Sequence, residues 1–564
     1  MSLRLAIVDA AALPRRLSPQ TRRLASLGAA RLIGDALTPA SAGEGAILAG
    51  WAFRRDGFGP CSQLSRSDIE RLVASRGKWA LGALWGHYLL AWIDRDKRVW
   101  LLRSPVDGPP LYHIVSWHGA CAFTDLALAR ELGFALAGPD PAAVDAALRF
   151  PFLRAPVTEI AGVREILPGE IVNLHTGDRE QGSWLPWDHS LRPPRRIDPA
   201  ELRGLVRSVV GAWSGRFGRI QLELSGGLDS SIVAACLSGR TGAWRALTLA
   251  TREPDGDERP YARAVMAQAG VELAERWRPP PGDPRRVPAR LRVRPGGFGL
   301  LAPSDSLYLE AARAFDADAI FTGTGGDNIF GYITSAGPIL DALRFAGPAA
   351  AWRAAGDLAR LARDNRWKAL LYAARRALRT PAPWPTEHGL LTRRHAGSMP
   401  AHPWAEGAQR IAPGQRTYGL ALLLMQSFIN AYDRALDMPM IAPLLSQPLV
   451  EFGLGVQSWQ WSEGGKDRAL ARAAFADMLP PEVLARRSKG RILSIFLPAF
   501  ARDRELLRPF LLDGWLAGAG ILDPDAVSAM LEPGAGDPLS IMRVLEVADI
   551  ECWARSAVAA VPGV

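Results

Sequence analysis

The chain has 564 residues, of which 48% are hydrophobic, and a formal net charge of +10. This length and composition allow a large buried core and predict a folded protein of two or more domains. The four cysteines are widely spaced and form no C-x-x-C pair, which argues against a disulfide framework, a zinc knuckle or an iron–sulfur cluster. Apolar runs such as residues 420–425 are far too short to cross a bilayer, so we expect a cytoplasmic protein with no membrane partner.

The first part of the chain is predicted to be rich in strands. Residues 77–123 contain short runs of tryptophan, tyrosine, valine and leucine, which Asp-Arg-Asp-Lys and Asp-Gly-Pro-Pro interrupt. Such runs between turn sequences are typical of antiparallel strands, so we predict a β-meander within an N-terminal domain at residues 1–190. Proline and charge in residues 190–204 indicate a linker that leads to a helix start at Asp198 or Pro199.

Beyond the linker, short apolar strands alternate with helical patterns. The strand candidates are RIQLEL at residues 219–224, RALTLA at residues 245–250 and ADAIFTG at residues 317–323. This alternation predicts a parallel sheet covered by helices, the α/β class, at residues 196–564. From about residue 339 onward the pattern is mostly helical, and it includes one long arginine-rich helix over residues 352–380.

The sequence SGGLDSS, residues 225–231, lies between an alternating strand and a helix of small residues. Backbone N–H and hydroxyl groups at such a helix N-terminus form an anion site that fits a phosphate. The loop lacks the lysine of the G-x-x-x-x-G-K-[ST] loop, which argues against γ-phosphate hydrolysis. Asp229 beside a phosphate would be repulsive without a cation, which indicates magnesium.

SGGLDSS resembles the pyrophosphate loop of the ATP pyrophosphatases in the asparagine synthetase superfamily. Three further stretches resemble the same family: FTGTGGDNIFGY at residues 321–332, SEGGKDRALARAAFADMLPPEVLARRSKG at residues 462–490, and LLRSPVDGPPLYH at residues 101–113. The last is similar to part of the family's N-terminal glutaminase-type, Ntn-hydrolase-like domain. The resemblance implies a degenerate glutaminase-type domain at residues 1–190, an ATP-pyrophosphatase domain at residues 196–564, and ATP and Mg²⁺ as cofactors.

The resemblance also implies roles for individual residues. The implied site residues are Ser225, Gly226, Gly227 and Ser230 for the phosphates, Asp229 and Asp327 for magnesium, the main chain of Leu249 and Gly323 for the adenine, and Lys489 together with the two aspartates for catalysis. Lys489 would stabilise the negative charge that develops on the oxyanion and the α-phosphate. We expect Leu249 and Gly323 at the ends of adjacent strands, and we assign no general base to Tyr308 or Glu310.

Departures from the family pattern narrow the function. A glutamine-using synthetase needs a cysteine at position 2, where this chain has Ser2, so we expect no glutaminase activity and an attacking amine that belongs to a substrate. Thr324 and Asn328 stand where asparagine synthetases have glutamates, and this form is most similar to the lasso-peptide cyclases. Ile441 and Ser446 replace a charged pair, which suits a peptide better than free aspartate.

We therefore predict an ATP-dependent, AMP-forming peptide cyclase. It would adenylate an aspartate or glutamate side chain of a precursor (core) peptide and join it to the N-terminal amine, after a leader-peptide protease partner has removed the leader. The arginine-rich residues 352–380 are one candidate face for that protease. We expect no nucleic-acid partner.

Four alternatives remain open. The first is a β-lactam synthetase-like enzyme that cyclises a small β-amino acid, and the second is an asparagine synthetase-like amidating enzyme. The third is a PP-loop enzyme that modifies transfer RNA, and the fourth is a non-catalytic scaffold. The tRNA-thiolating enzymes usually carry cysteine pairs, which this chain lacks. The presence of Asp229, Asp327 and Lys489 argues against a scaffold.

Overall fold

The structure is a computed structural model. It describes residues 3–14, 17–35, 39–190, 195–251, 256–286, 290–296, 299–332, 335–379, 382, 384–393, 397–429, 431–486 and 493–561, with side chains from residue 496 onward in the last range.

The N-terminal region contains two antiparallel sheets. In spatial order, the first sheet consists of β11 (Arg164–Ile166), β9 (Leu111–Ser116), β10 (Gly119–Phe123), β1 (Leu5–Asp9), β3 (Ala30–Asp35) and β2 (Thr21–Leu27). The second consists of β12 (Ile171–Asn173), β8 (Val99–Arg103), β7 (Leu84–Ile93), β5 (Ala46–Arg54) and β4 (Ala40–Gly43), and β6 (Pro60–Cys61) pairs with β5. Buried aliphatic side chains such as Leu5, Leu32, Leu89 and Leu101 form one core that both sheets share, because alternate residues of a strand point to the same face.

The prediction of one β-meander over residues 77–123 was wrong in its topology. The residues do form antiparallel strands, but β7 and β8 belong to the second sheet, whereas β9 and β10 belong to the first. The segment begins with a helix, α2. The helices of this region are α1 (Arg66–Ala74), α2 (Lys78–Ala83), α3 (Leu126–Glu131), α4 (Pro141–Arg149) and α5 (Trp187–Ser190).

The region after the linker contains the predicted parallel sheet. Its spatial order is β15 (Leu273–Trp277), β14 (Ala243–Ala250), β13 (Arg219–Glu223), β16 (Ala319–Thr322) and β17 (Met440–Ile441), and every neighbouring pair is parallel. The helices along this sheet are α6 (Pro199–Ser214), α7 (Leu228–Leu237), α8 (Arg259–Ala269), α9 (Ala302–Ala314) and α10 (Gly326–Ile329). The predicted helix start is confirmed, since α6 begins at Pro199 and the Asp198 side chain accepts a hydrogen bond from the Ala200 N–H.

The rest of the chain is mostly helical, as predicted. The helices are α11 (Gly337–Ala346), α12 (Pro348–Ala362), α13 (Arg366–Ala377), α14 (Pro403–Gly407), α15 (Pro413–Ile429), α16 (Arg434–Asp437), α17 (Gln447–Gly455), α18 (Ala469–Ala474), α19 (Pro481–Ala485), α20 (Leu493–Leu512), α21 (Trp515–Gly518), α22 (Pro524–Met530) and α23 (Pro538–Ala559). None of the helices within the described ranges is long and apolar enough to cross a membrane.

The prediction of a single helix over residues 352–380 was wrong. Helix α12 ends where Arg363 adopts a left-handed conformation, with φ of 53°. The Asn365 side chain then caps α13 by accepting a hydrogen bond from the Lys368 N–H. The two helices form a hairpin, because the Arg-Asp-Asn sequence supplies a helix stop followed directly by a helix start.

Aromatic side chains join the N-terminal region to the parallel sheet. The Phe53 ring stacks on Trp85, with ring centroids 4.4 Å apart, and meets the edge of Trp213 on α6 at 4.9 Å. The indole N–H of Trp213 donates to the Ser446 hydroxyl at 2.8 Å. Because these rings are fully buried, they fix the N-terminal sheets against the helix that precedes β13.

Candidate active site

The loop between β13 and α7 leaves the N-terminus of α7 open. Gly226 has φ of 66°, and a Cβ there would lie 2.5 Å from the Cβ of Tyr261 and 2.7 Å from the Ala262 nitrogen. Only glycine fits this position without strain. Gly227 precedes the helix, and no described side chain caps it. The first N–H groups of α7 therefore face the loop, where the helix dipole attracts an anion.

Two serine hydroxyls flank this helix end. The Oγ atoms of Ser225 and Ser230 lie 3.4 Å apart, and Ser225 Oγ accepts a hydrogen bond from the Gly227 N–H at 3.3 Å. The structure thus brings the four residues of the expected phosphate site, Ser225, Gly226, Gly227 and Ser230, around one helix N-terminus. That they bind phosphate stays a prediction.

The second glycine-rich loop packs directly on the first. It follows β16, which pairs in parallel with β13 in a register that places Leu222 opposite Phe321. A Cβ at Gly323 would lie 2.5 Å from the backbone nitrogen of Ser230, and a Cβ at Gly326 would lie 2.3 Å from Cγ of Asp229. The absence of side chains on this loop therefore lets Asp229 approach the turn that carries Asp327.

Asp229 and Asp327 converge on one cationic group, the guanidinium of Arg468. Arg468 Nη1 lies 3.1 and 3.3 Å from the two carboxylate oxygens of Asp229 and 2.7 Å from Oδ1 of Asp327. Asp467 holds the same guanidinium, with Oδ2 at 2.8 Å from Arg468 Nε. Sequence reasoning missed Arg468, although it lies in the stretch 462–490 that resembles the family.

Burial and charge act in opposite directions on this cluster. Burial by itself would lower the pKa of Arg468, but the carboxylates of Asp229 and Asp327 raise it above the ordinary value. Burial likewise would raise the pKa of Asp467, but Arg468 and Arg472 hold it below its ordinary value. Arg468 and Asp467 therefore stabilise each other in their charged forms.

The carboxylate pair fits a magnesium ion that is shared with a phosphate. Magnesium in phosphate sites is held by one or two carboxylates, and phosphate oxygens and water complete its ligands. Asp229 and Asp327 supply two such carboxylates, which already converge on one positive group. Among the described residues, no group of three or more histidine, cysteine or acidic side chains is placed to hold a metal ion by itself, so the remaining ligands would come from nucleotide and water.

Leu249 and Gly323 lie near the carboxyl edge of the sheet, as expected, but not on adjacent strands. Leu249 is the penultimate residue of β14, and Gly323 directly follows β16. In the sheet, β13 lies between these two strands. The expectation of adjacency was therefore wrong, because the chain inserts the strand that carries the phosphate loop between them. The two residues flank that loop on opposite sides.

Arg486 lies at the mouth of the phosphate loop and was also missed by sequence reasoning. Its Nη1 donates to the Ser225 carbonyl at 3.4 Å, and its Nη2 lies 2.5 Å from Glu258. The guanidinium sits 4.3 Å from the centroid of the Tyr261 ring. Arg472 fixes this segment by donating to the carbonyl of Leu484 at 2.7 Å. A second positive group is thus placed beside the anion site.

Other residues considered from the sequence do not join this cluster, or lie outside the described residues. Lys489 and Ser2 belong to the latter group. Lys466 is exposed and lines a cavity next to the cluster. Tyr308 packs under the Arg434 guanidinium, 5.0 Å from its ring centroid, and burial raises the pKa of its hydroxyl. Glu310 is exposed on α9.

A cavity of about 1170 Å³ adjoins the cluster. Two residues that contact Arg468 also line it: Asp467, and Tyr332, whose ring centroid lies 5.6 Å from the Arg468 guanidinium. The charged residues of its lining are Arg363, Lys368, Arg376, Lys466, Arg472 and Arg486, against Asp364 and Asp467. The cavity therefore extends from the residues that contact Arg468 to the α12–α13 hairpin, and its wall is net positive.

The arginine of the glutaminase-like stretch in residues 101–113 is fully engaged by the protein. Arg103 is 2% exposed. Its guanidinium donates to Oε1 of Glu165 at 2.8 Å and to the carbonyls of Ile166 and Gly108 at 2.9 and 3.0 Å. This side chain is thus part of the buried core in this chain.

Comparison with known proteins identifies the family of the C-terminal region. The sequence profile of the asparagine synthase family matches residues 205–555, which is more than half of the chain. No curated protein matches the chain. A solved structure described as that of the allosteric regulatory enzyme of purine biosynthesis is similar over 57% of this chain and 83% of its own, with 12% identity and a TM-score of 0.19. The family match, together with the two glycine-rich loops and the carboxylate pair, shows that the chain belongs to the asparagine synthase family.

Proposed function

We propose that the protein is an ATP-dependent, AMP-forming peptide cyclase that makes a macrolactam, as in lasso-peptide biosynthesis. Members of the asparagine synthase family are ATP-dependent ligases, and the match covers all of the loops described above. The acyl group would be an aspartate or glutamate side chain of a leader-free core peptide. The nucleophile would be the N-terminal amine of the same peptide.

The size and charge of the cavity beside the carboxylate pair carry this proposal. Pockets for small molecules are typically about 300–1,000 Å³, and this cavity measures about 1170 Å³. Six basic side chains in its wall outnumber two acidic ones, which favours a substrate with a carboxylate. A ring closure needs the peptide held folded, with both ends near the reacting atoms, and a large cavity supplies that space.

The residues of the chain have separate tasks in this reaction. The N-terminus of α7, with the hydroxyls of Ser225 and Ser230, would hold the phosphates of ATP. Arg468 and Arg486 would offset their negative charge. A magnesium ion held by Asp229 and Asp327 would supply Lewis-acid neutralisation of the leaving pyrophosphate. Lys489 would stabilise the negative charge on the oxyanion and the α-phosphate, as the family resemblance implies.

The bonds change in two steps. A carboxylate oxygen of the peptide attacks the α-phosphorus of ATP, and pyrophosphate leaves. The peptide amine then attacks the activated carbonyl carbon, the amide bond forms, and AMP leaves with the loss of one proton from the amine. The net change in the peptide is the loss of one water.

The N-terminal region is proposed to be a degenerate glutaminase-type domain at residues 1–190, followed by the ATP-pyrophosphatase domain at residues 196–564. The engagement of Arg103 by Glu165, Ile166 and Gly108 supports this proposal, since its guanidinium is not open to a substrate. Incubation of the protein with glutamine should release no glutamate. Glutamate release above a protein-free control would contradict it.

Mass spectrometry tests the cyclase proposal. Synthetic leader-free peptides with a free α-amine and one acidic side chain are incubated with ATP, magnesium and the protein. We expect loss of one water from the peptide, with one AMP per ring. The matched controls are the same peptides with an acetylated amine or with asparagine in place of aspartate, and these should stay linear and produce no AMP above background.

Two outcomes would overturn the proposal. AMP formation only with a small β-amino acid would favour a β-lactam synthetase-like reaction. AMP formation only with aspartate and ammonia would favour amidation. In either case the peptides would stay linear. A leader-peptide protease is a proposed partner, and the synthetic peptides make the test independent of it.

A further inference from the structure

Helices α11, α12 and α13 bury small side chains and expose large ones. Their shared core is mostly alanine, for example Ala351, Ala354 and Ala355. By contrast, residues 343–378 hold seven of the fourteen large apolar side chains that are exposed in the described part of the chain. Helices of a globular protein normally bury such side chains, and a cluster of them at the surface indicates an interaction site.

The exposed face of α13 and its C-terminal cap carries an apolar stripe with helical spacing. Trp367, Leu371 and Leu378 are 71%, 48% and 88% exposed. Ala374, which is also exposed, lies between the last two. These four residues occupy positions i, i+4, i+7 and i+11, which share one side of a helix. Helical contacts between proteins use anchors at this spacing.

Trp352 on α12 widens the stripe and is held in place by its neighbours. Its ring meets Trp367 edge to face, with centroids 5.4 Å apart, and the Arg366 guanidinium lies 4.5 Å from the Trp352 centroid. These contacts hold the rings of Trp352 and Trp367 in place in the absence of a partner. Ordered tryptophan and arginine side chains supply much of the binding energy in protein interfaces.

The same segment concentrates the positive charge of the chain. Residues 343–379 contain nine arginines and lysines and two aspartates, so they carry +7 of the net +10. Arg353, Arg375 and Arg379 are exposed, and no described residue forms an ion pair with them. A second copy of this surface would bring the same charge, and the repulsion disfavours self-association through it.

We infer that the exposed faces of α12 and α13 bind a partner polypeptide whose docking segment is acidic and carries apolar side chains at helical spacing. A nucleic-acid backbone has no apolar groups that would contact the apolar stripe, and it would interact only with the positive charge. If the Trp352 ring inserted into a lipid surface, the Arg366 guanidinium that stacks on it would enter the lipid as well. The desolvation of that guanidinium is costly. A protein partner satisfies both the stripe and the charges.

This inference does not depend on the proposed reaction. The hairpin nevertheless connects the two sites, because Lys368 and Tyr372 of α13 line the cavity beside the carboxylate pair. A partner on the stripe would therefore contact a helix that forms part of the cavity wall. The test of this inference measures peptide binding by the full chain and does not require catalytic activity.

Fluorescence anisotropy with two labelled peptides provides the test. Both are helical and carry leucine at i, i+4, i+7 and i+11, with glutamate at the other positions in one and lysine in the other. We expect the full chain to bind the glutamate peptide and not the lysine peptide. The affinity should fall at least tenfold in high salt, in Arg375→Glu/Arg379→Glu and in Trp367→Ser/Leu371→Ser.

Control variants carry changes of the same kind at sites outside the α12–α13 hairpin. Arg22→Glu/Arg23→Glu alters two exposed arginines of β2, and Trp117→Ser alters a tryptophan that is 89% exposed. Both should bind the glutamate peptide as the unmodified chain does. Equal binding of the two peptides, or unchanged affinity in the stripe variants, would overturn the inference. Stripe-dependent binding to phosphatidylserine vesicles or duplex DNA, with no binding of the glutamate peptide, would also overturn it, in favour of a lipid or nucleic-acid partner.

Discussion

At the scale of single residues, the site depends on a guanidinium group that lies between two carboxylates. Arg468 has φ of 51°, a left-handed conformation that is unfavourable for a residue with a side chain. Its ion pairs with Asp229, Asp327 and Asp467 offset that cost. The carboxylates are thereby held close together, as the proposed magnesium site requires.

Replacing Asp327 with asparagine should remove activity and keep the fold. The change preserves the size of the side chain but deletes one of two negative charges proposed to hold magnesium. We expect AMP formation to fall at least 100-fold, about 2.7 kcal/mol in the activation free energy, with an unfolding midpoint close to that of the unmodified protein. The measurements are AMP release with a peptide that cyclises and differential scanning calorimetry.

The matched control is Asp316→Asn, which changes a carboxylate that is 88% exposed. It should leave both AMP release and the unfolding midpoint unchanged. Full activity in a folded Asp327→Asn variant would exclude Asp327 from the site.

Replacing Arg468 with methionine should destabilise the protein, and replacing Asp229 as well should recover part of the loss. Methionine removes the Arg468 guanidinium from the buried Asp229 carboxylate, and such a loss costs about 3–5 kcal/mol. The double variant Asp229→Asn/Arg468→Met removes both charges, so its loss should be smaller than the sum of the single losses by at least about 1 kcal/mol. Unfolding midpoints of the four proteins measure this coupling, and strictly additive losses would argue against the pair.

At the scale of elements, the unit β13–loop–α7 positions the anion site. Alternate residues Ile220 and Leu222 of β13 are fully buried, and eight of the ten residues of α7 are buried. The helix can therefore approach the sheet closely, and its N-terminus points at the loop. Gly226 makes the turn possible, since α8 lies directly against its Cα.

Replacing Gly226 with alanine should therefore disturb the loop. The left-handed φ costs about 1–2 kcal/mol for a residue with a Cβ, and the new Cβ would overlap the backbone of α8. We expect a lower unfolding midpoint and at least tenfold weaker ATP binding by titration calorimetry.

Gly239→Ala is the control for this change, because Gly239 follows the same helix and has open space around its Cα. That variant should bind ATP normally and be as stable as the unmodified protein or slightly more stable. Equal behaviour of the two variants would contradict the role given to Gly226.

At the scale of the whole molecule, a buried ion cluster ties the N-terminal sheets to the region beyond the linker. Glu165 on β11 accepts from Arg103 at 2.8 Å and lies 3.0 Å from Arg154. It also accepts from Arg294, which comes from the segment after β15, at 2.5 Å. Burial alone would raise the pKa of Glu165, but the three arginines lower it to about 2.

Replacing Glu165 with glutamine should weaken the molecule in a pH-dependent way. The variant leaves three buried guanidinium groups without their shared carboxylate, which we expect to cost about 3–5 kcal/mol at neutral pH. Because the pKa lies at about 2 instead of the ordinary 4.5, the carboxylate stabilises the fold above about pH 4.5 and loses this effect as the pH falls towards 2. The unfolding midpoints of the two proteins should converge between pH 5 and pH 2.

Glu201→Gln is the exposed counterpart, since Glu201 and its partner Arg195 have side chains 42% and 55% exposed. Its effect should stay below about 1 kcal/mol at neutral pH. If the difference in unfolding midpoint between the unmodified protein and Glu165→Gln does not decrease between pH 5 and pH 2, the negative charge assigned to Glu165 is contradicted.

Local patterns in the sequence were enough to predict the main elements of the site. The candidate phosphate loop, the strand before it and the helix after it lie within residues 219–237, so the hydrophobic alternation, the glycines and the small residues that predict them are close together in the sequence. The helix start at Pro199 is also a local feature, because the Asp198 side chain caps the N–H of Ala200, two residues further along the chain. The alternation of strands and helices also indicated a parallel sheet, because only crossover connections produce it.

The sequence by itself determined the class of each local unit and the strand–loop–helix arrangement around residues 225–231, since these depend on residues a few positions apart. Only the tertiary structure decided which units meet. Arg468 lies 239 residues from Asp229, and no periodicity links them. The order of β14, β13 and β16, the division of β7–β10 between two sheets, and the outward tryptophans of the α12–α13 hairpin likewise depend on long-range packing. Such packing selects among many contacts that are locally equivalent, and for that reason it cannot be deduced from neighbouring residues.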